Sequence, residues 1–482
     1  MNFRLILRFI GLLTLFLGGS MLIPLAVSLY DHDKSTYSFI LSIAICFIVG
    51  GAFAFFLRSS GKENFSHKDG VAIVTLSWVN AGIIGAIPFL LSGVIHDFTS
   101  AYFESMSGFT TTGSTIFSDI ESLPNSILLW RSEMQWLGGM GIIVLSIAIL
   151  PYLGVGDIQL YKAEVPSPII NKLTPRISET AKRLWFVYVS MTAVQIIILL
   201  LGKMNFFDAV CHSFSTLPTG GFSPKNASLA EYNSPFFDYV ILIFMVLSGI
   251  SFAIHFKLFK GNINVLKRDN ELYAYLVIIF IFSLAVTLDL YGTVYESLTQ
   301  AFRYASFQIV SIITTTGFIT SNYEEWPDLS KIIIFISMFL GGMAGSTAGG
   351  IKIMRIILMA KHTYQQILKI IHPHSITSVK LMNTPVPHSV INSIWGFFFL
   401  FLGLFVICAC LLAAIGLDWE SAIGASIAAI GNIGPSFGIV GPYSNYNNLP
   451  IAAKWLLSFC MLLGRLEIYT VIVLLVPEFW KK

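Results

Sequence analysis

Apolar runs of about twenty residues dominate the chain, separated by short polar connections. "IILLLG" near 197, "YVILIFMVLSGI" at 239–250 and "YTVIVLLV" at 469–476 lie inside stretches long enough to cross a bilayer as helices. Such stretches fall at 5–30, 37–57, 69–95, 124–150, 181–202, 236–258, 272–291, 329–360, 389–415 and 450–476, so about ten crossings are expected. Four more segments, at 97–112, 206–220, 297–316 and 418–433, are too short and too polar to span. Each is helix-like, then reaches a glycine and a loop, and then meets the next apolar run. Non-helical backbone at membrane depth survives only inside protein or beside a watery cavity. Re-entrant half-helices are therefore expected there.

The four segments are copies of one another. With Gly113, Gly221, Gly317 and Gly434 aligned, Ala101, Ala209, Ala305 and Ala422 coincide, as do Phe109, Leu217, Ile313 and Ile430. Six positions before the glycine stand Ser107, Ser215, Ser311 and Ala428. The following runs carry "LGGM" at 137–140, "LSGI" at 247–250, "LGGM" at 340–343 and "LGRL" at 463–466. Repetition at a fixed spacing marks repeated structure. The expected fold is an all-α polytopic membrane protein. Four pseudo-repeats of helix, pore half-helix, glycine loop and helix surround one central pore, behind two N-terminal helices. Their bounds are expected at 1–68 for the two extra helices, then 69–165, 166–265, 266–375 and 376–482, the third repeat holding an intramembrane gate loop.

Composition agrees. Of 482 residues, 55% are hydrophobic and 11% charged, against about a quarter charged in a soluble domain. The basic, apolar start "MNFRLILRFIGLLTLFLGGS" has the outline of a signal peptide, but its apolar run continues, so an uncleaved first helix is expected. Most of the 29 Lys and Arg, including Arg58, Lys62, Lys162, Lys172, Lys267 and Lys482, fall on one side if the N-terminus is cytoplasmic, which places both termini inside. Cys46, Cys211, Cys408, Cys410 and Cys460 lie in or beside apolar runs and read as small hydrophobes, without disulfide or zinc spacing. His255 and the pair in "HPH" at 372–374 are given no role. Asp97 and Asp208 read as half-helix N-caps, and Asp418 and Glu420 as outer charges that concentrate cations.

A single "TTTG" would be a helix C-cap, its glycine ending the half-helix. Four in matched surroundings point to a ring, where backbone carbonyls and threonine hydroxyls replace a cation's water shell and half-helix C-termini add partial negative charge. "PTGG" at 218–221 and "GNIG" at 431–434 differ from the "TTTG" copies at 110–113 and 314–317, so the symmetry is only pseudo-fourfold. With these loops, and with "QWLGGMGIIVLSIAILP" at 135–151, "RISETAKRLW" at 176–185 and "GRLEIYT" at 464–470, essentially the whole chain resembles bacterial Trk-type potassium uptake proteins, the TrkH and TrkG family, related to KtrB.

The resemblance implies potassium as the transported ion and the bacterial inner membrane as the location. It places ion-binding positions at Thr111, Thr112, Gly113, Thr219, Gly220, Gly221, Thr315, Thr316, Gly317, Asn432, Ile433 and Gly434. It further implies a homodimer and a cytoplasmic ring of TrkA-type subunits that bind NAD and ATP. The chain itself has no GxGxxG or P-loop fingerprint. No cofactor of its own and no nucleic-acid partner are expected; its other surroundings are membrane lipid.

The glycine-dense "GGMAGSTAGG" at 341–350 reads as a break in a span, since interior glycine weakens a helix by about 0.5–1 kcal/mol each. Close helix packing accounts for only part of it, and a nucleophile elbow at Ser346 lacks a matched His and Asp. Arg465 lies about 16–18 Å along its helix from both Lys454 and Pro477, at about 1.5 Å per residue, hence near mid-membrane, where an arginine is functional by default. Glu467 does not share its helix face. Gly345, Ser346, Thr347, Gly349, Gly350 and Arg465 are the expected gate beneath the ring. A proton- or sodium-coupled symporter on the same scaffold is the alternative; an intramembrane enzyme lacks the required cluster of reactive groups.

Overall fold

The computed structural model describes residues 1–57, 66–148, 173–373, 378–381 and 384–481. Arg58, Lys62, Lys162, Lys172, Lys482, His374 and the expected boundaries at 165/166 and 375/376 lie outside the described residues. The rest is nearly all helix, the form in which a chain surrounded by lipid satisfies its own backbone polar groups.

Helices α1 (Phe3–Ser20) and α2 (Leu22–Asp31) run on as one span beside α3 (Thr36–Phe56). Small residues let them touch: a Cβ on Gly11 would lie 2.6 Å from that of Phe53, and one on Gly18 2.6 Å from that of Cys46.

A unit of long helix, half-helix, loop and second helix then recurs four times. The first comprises α4 (His67–Leu91), α5 (Phe98–Phe109) and α6 (Asn125–Ala148). The second is α7 (Leu173–Leu201), α8 (Phe206–Thr216) and the pair α9 (Pro235–Ser248) and α10 (Phe252–Phe259). The third is α11 (Asn270–Leu290), α12 (Leu298–Ile313) and the pair α13 (Asp328–Ser337) and α14 (Ile353–Ile371). The fourth is α15 (His388–Ile415), α16 (Trp419–Gly431) and the pair α17 (Ile451–Arg465) and α18 (Tyr469–Ile472). Two short strands, β1 (Lys380–Leu381) and β2 (Thr384–Pro385), pair antiparallel between α14 and α15.

The half-helices occupy the interior. Every residue of α5 from Ser100 and of α12 from Ala305 is buried, whereas Ile48, Phe56, Leu201 and Phe280 on the long helices are exposed. Polar half-helices inside and apolar helices outside suit a protein whose solvent is hydrocarbon. The face where the half-helices start is called upper below. Asp97, Asn205 and Asp418 cap α5, α8 and α16 by accepting the N–H of Ser100, Asp208 and Ser421. Asp208, expected as a cap, is instead a first-turn residue held by Asn205 Nδ2 and the Tyr232 hydroxyl, both at 2.7 Å.

Three of the four second helices break at one level. α9 meets α10 at 99°, α17 meets the segment after it at 113°, and residues 338–352 separate α13 from α14. Only this last break is legible in the sequence; 236–258 and 450–476 read as continuous spans. At the first break, His255 Nε2 donates to the Leu247 carbonyl at 2.8 Å, occupying an acceptor the helix abandons. At the last, Glu467 and Ile468 both have positive φ, 55° and 58°. Six described spans are long and apolar enough to cross a membrane, or eight counting each bent pair as one. The two expected crossings outside that count are α6 and the interrupted α13–α14.

Candidate functional site

All four half-helices end alike. The N–H groups of Thr111, Thr219, Thr315 and Asn432 bond to the carbonyls of Gly108, Thr216, Ile312 and Ala429. Those of Thr112, Gly220, Thr316 and Ile433 reach back to Ser107, Ser215, Ser311 and Ala428 at 2.8–2.9 Å. This pairing is the Schellman motif, whose turning residue is left-handed; φ is 53°, 59°, 55° and 54° at Thr111, Thr219, Thr315 and Asn432. The helix therefore ends two residues before the glycine, not at it, and the residues aligned six before the glycine, three serines and Ala428, supply the carbonyl that accepts the returning N–H. Left-handed φ is uncomfortable for β-branched threonine, and strain of this kind concentrates at functional sites.

The glycines make a second left-handed turn, with φ of 84°, 76°, 80° and 98° at Gly113, Gly221, Gly317 and Gly434. They are also where the loops meet. A Cβ on Gly113 would lie 2.2 Å from the Gly220 carbonyl oxygen, one on Gly221 1.9 Å from that of Thr316, one on Gly317 2.1 Å from that of Ile433, and one on Gly434 2.7 Å from that of Thr112. Each loop thus abuts the next in chain order, and the fourth returns to the first. Asn432 Nδ2 seals that junction by donating to Thr112 Oγ1 at 2.9 Å and to the Met461 carbonyl at 2.9 Å. No side chain fits at any of the four glycines.

Thr111, Thr219, Thr315 and Asn432 are buried at one level of the ring. Thr111 Oγ1 and Asn432 Oδ1 have no hydrogen-bond partner among the described residues. Buried oxygens without donors are costly unless something positive visits them. Four half-helix C-termini pointing at the ring add partial negative charge. The quarters differ. Thr110 bonds Thr112 and Thr314 bonds Thr316 through their hydroxyls, at 2.7 and 2.8 Å, while Gln135 Nε2 donates to the Gly220 carbonyl at 2.7 Å and the Tyr446 hydroxyl to that of Gly434 at 2.7 Å.

Above the ring, Gly113, Gly221, Gly317 and Gly434 floor a cavity of about 90 Å³ walled by Ser114, Thr115, Ser118 and Asn226 among others. Arg131, which helps to line it, forms a buried 2.8 Å ion pair with Glu104. Glu104 also accepts from Thr115 Oγ1 and the Ile116 N–H, and Arg131 from the opposite side donates to the Ser223 carbonyl. This pair joins the segments leaving loops 1 and 2. At the start of α16, the Ser421 hydroxyl and N–H hold the Asp418 carboxyl below its ordinary value, so it is charged at neutral pH and doubles as the α16 cap.

Directly below lies the 338–352 loop. The Gly349 N–H donates to Thr315 Oγ1 at 2.7 Å, and a Cβ on Gly349 would sit 2.3 Å from the Gly431 carbonyl oxygen. Thr347 Oγ1 donates to the Leu217 carbonyl at 2.8 Å, and Arg465 Nη1 to the Thr347 carbonyl at 2.6 Å. Nε and Nη2 of Arg465 are buried without a partner among the described residues. Glu467 pairs with Arg355 at 2.5 Å. Ser346 and Gly350 belong to the same loop, and Gly345 accepts the Phe252 N–H from α10. Glu271 Oε1 takes the N–H of Ala344 at 2.7 Å and of Met354 at 3.1 Å, pinning the loop at its middle and just past its end. The structure so brings all eighteen expected site residues into two stacked layers. Sequence reasoning passed over Gln135, Glu104, Arg131, Glu271 and Tyr446; the signals were the charges inside the 97–112 segment and the 124–150 run, and a glutamine where the aligned runs carry methionine.

Half-helices converging on a ring of strained backbone, with a fixed cation beneath it, define a multi-pass membrane protein of the cation-transport class. A model of that description, the TrkH cation transport proteins, matches residues 35–482, and the chain belongs to this family. It is 39% identical over 490 residues to the Trk system potassium uptake protein TrkH of Escherichia coli K12, covering 100% of both chains. It is 34% identical to TrkG of the same organism, covering 99% of each. The crystal structure of the potassium transporter TrkH from Vibrio parahaemolyticus superposes with a TM-score of 0.92 at 37% identity, covering 100% of both chains.

Proposed function

We propose that this chain is the ion-translocating subunit of a bacterial potassium uptake system, set in the inner membrane with both termini cytoplasmic. The observation that carries the reading is the ring: four glycines, each leaving room for the next loop's carbonyl. Thr111, Thr112, Gly113, Thr219, Gly220, Gly221, Thr315, Thr316, Gly317, Asn432, Ile433 and Gly434 form its selectivity filter, within repeats bounded at 69–165, 166–265, 266–375 and 376–482. A potassium ion entering from the upper cavity exchanges water for carbonyl and hydroxyl oxygens, aided by the half-helix dipoles.

The 343–350 loop and Arg465 are the gate. The loop fills the path under Thr315, and the guanidinium opposes a cation at short range in a medium of low dielectric. Opening withdraws both. A TrkA-type cytoplasmic subunit carrying NAD and ATP drives that movement, and two copies of the chain form the working dimer. Potassium uptake in named relatives at 39% and 34% identity supports the choice of ion.

Purified protein in liposomes tests this. Rubidium or potassium uptake that follows only the potassium electrochemical gradient supports a gated channel; uptake that changes with an imposed proton or sodium gradient supports the coupled alternative. Gly113→Ser, whose added atoms meet the Gly220 carbonyl, lowers potassium preference over sodium. Unchanged preference would remove the ring from the ion path.

A further inference from the structure

The second loop lacks what holds the first and third. In loops 1 and 3 a threonine hydroxyl pair, Thr110 with Thr112 and Thr314 with Thr316, ties the residue before the glycine to the end of the half-helix. In loop 2 those positions are Pro218 and Gly220, which have no side-chain donor or acceptor. A Gly220–Gly221 pair is the most freely rotating backbone in the ring. Nevertheless it has the same left-handed alternation as the other three loops, with φ of 59° at Thr219 and 76° at Gly221.

What holds it comes from another repeat. Gln135 on α6 donates from Nε2 to the Gly220 carbonyl at 2.7 Å and accepts the Phe222 N–H on Oε1 at 3.0 Å, bracketing Gly221 from both sides. It also occupies the volume of the missing side chain, since a Cβ on Gly220 would lie 2.4 Å from Gln135 Cδ. Gln135 is fully buried. Counted from the aligned "LGGM" segments, the equivalent positions in the other repeats are Met245, Met338 and Met461. Loop 4 also lacks the threonine pair, having Gly431 and Ile433 at those positions, but its own Asn432 ties it to Thr112 and to the Met461 carbonyl. A polar residue thus stands where three quarters of the ring place methionine, beside the loop that has neither the threonine pair nor an asparagine of its own.

We infer that Gln135 is a positioning residue of the ring, replacing the threonine pair of loop 2 and fixing the direction of the Gly220 carbonyl. The inference rests on the filter reading above. Without Gln135 the Gly220–Gly221 peptide samples other directions, and one of four ligands at that level is lost for part of the time. Discrimination between ions suffers more than throughput.

The test measures potassium-over-sodium permeability of full-length variants in liposomes, with protein amount and thermal unfolding recorded in parallel. Gln135→Met, nearly equal in volume and matching the other repeats, is expected to lower the ratio about fivefold, the worth of one neutral hydrogen bond, while unfolding shifts little. Restoring the tie within the loop, in the triple variant Pro218→Thr, Gly220→Thr, Gln135→Met, recovers most of that ratio. Gly113→Ser is the control on the filter itself. If it changes selectivity while Gln135→Met leaves the ratio unchanged, the role of Gln135 is overturned and the filter stands. If Gly113→Ser has no effect, the filter reading falls first. A Gln135→Met protein that loses potassium and sodium flux in equal proportion, with lowered stability, marks Gln135 as merely structural and also overturns the inference, whatever the triple variant does.

Discussion

At the level of single residues, the ring is set by what is missing. Gly221 has 1.9 Å to the Thr316 oxygen where a Cβ would go, so Gly221→Ala forces backbone apart as well as straining a positive φ. Loss of at least tenfold in selective potassium flux is expected, read as the potassium-to-sodium ratio in liposomes. Thr315 presents the opposite case. Its hydroxyl accepts the Gly349 N–H, tethering the lower loop to the ring. Thr315→Val keeps the shape and drops the acceptor, and flux without activator should rise severalfold, since an orphaned N–H costs about 1–3 kcal/mol in the closed arrangement. Arg465→Ala removes the charge below and should raise unstimulated flux further. If flux in Arg465→Ala stays at the resting level, the barrier lies elsewhere.

The half-helices and the broken helices are the elements that convert these contacts into a machine. A half-helix was legible because its composition failed the length test for a span, and its end because glycine recurs at one spacing. The Schellman turn itself was not, because threonine in a left-handed conformation contradicts local preference and is imposed by packing against the next loop. The breaks at 249–251 and 466–468 were likewise hidden. Ser, Gly and Glu there are ordinary in a polar-lined helix, and the carbonyls they release are taken up by His255 and by backbone brought from distant segments. Glu271 shows what such a segment needs. Glu271→Ala frees two N–H groups, that of Ala344 within the 338–352 loop and that of Met354 just after it, and the loop's amide protons should exchange faster by at least tenfold in hydrogen–deuterium exchange, the equivalent of about 1.4 kcal/mol. At the upper end, Asp418 has a lowered pKa in the folded state. Its contribution to stability is complete above the ordinary carboxylate value of about 3.9 and fades as pH falls through the lower folded value. Asp418→Asn, an equally good cap, should remove that acid dependence from the thermal unfolding curve.

For the molecule as a whole, crossings, repeats and ring were all readable from periodicity, because membranes impose length and apolarity on every span. Contacts between repeats were not. Arg131 and Glu104 lie 27 positions apart on two elements of the first unit, yet they clamp the second loop's exit at Ser223. Nothing in either flanking sequence announces a partner. Arg131→Met strands a buried carboxylate and should cost about 3–5 kcal/mol, seen as a lowered unfolding temperature. The double variant Arg131→Met, Glu104→Gln should recover a large part of it.

The ring closes in chain order, and its final joint, Asn432 to Thr112, spans 320 positions. Synthesis and membrane insertion therefore carry the chain through all but its last fifty residues before the circle can be completed. Until that moment three quarters of a ring have an open flank, and no partial product possesses the four-sided aperture. A chain that stops before Asn432 lacks the partner of Thr112 and the fourth side of the ring, so the circle is completed in a single event, with the fourth loop.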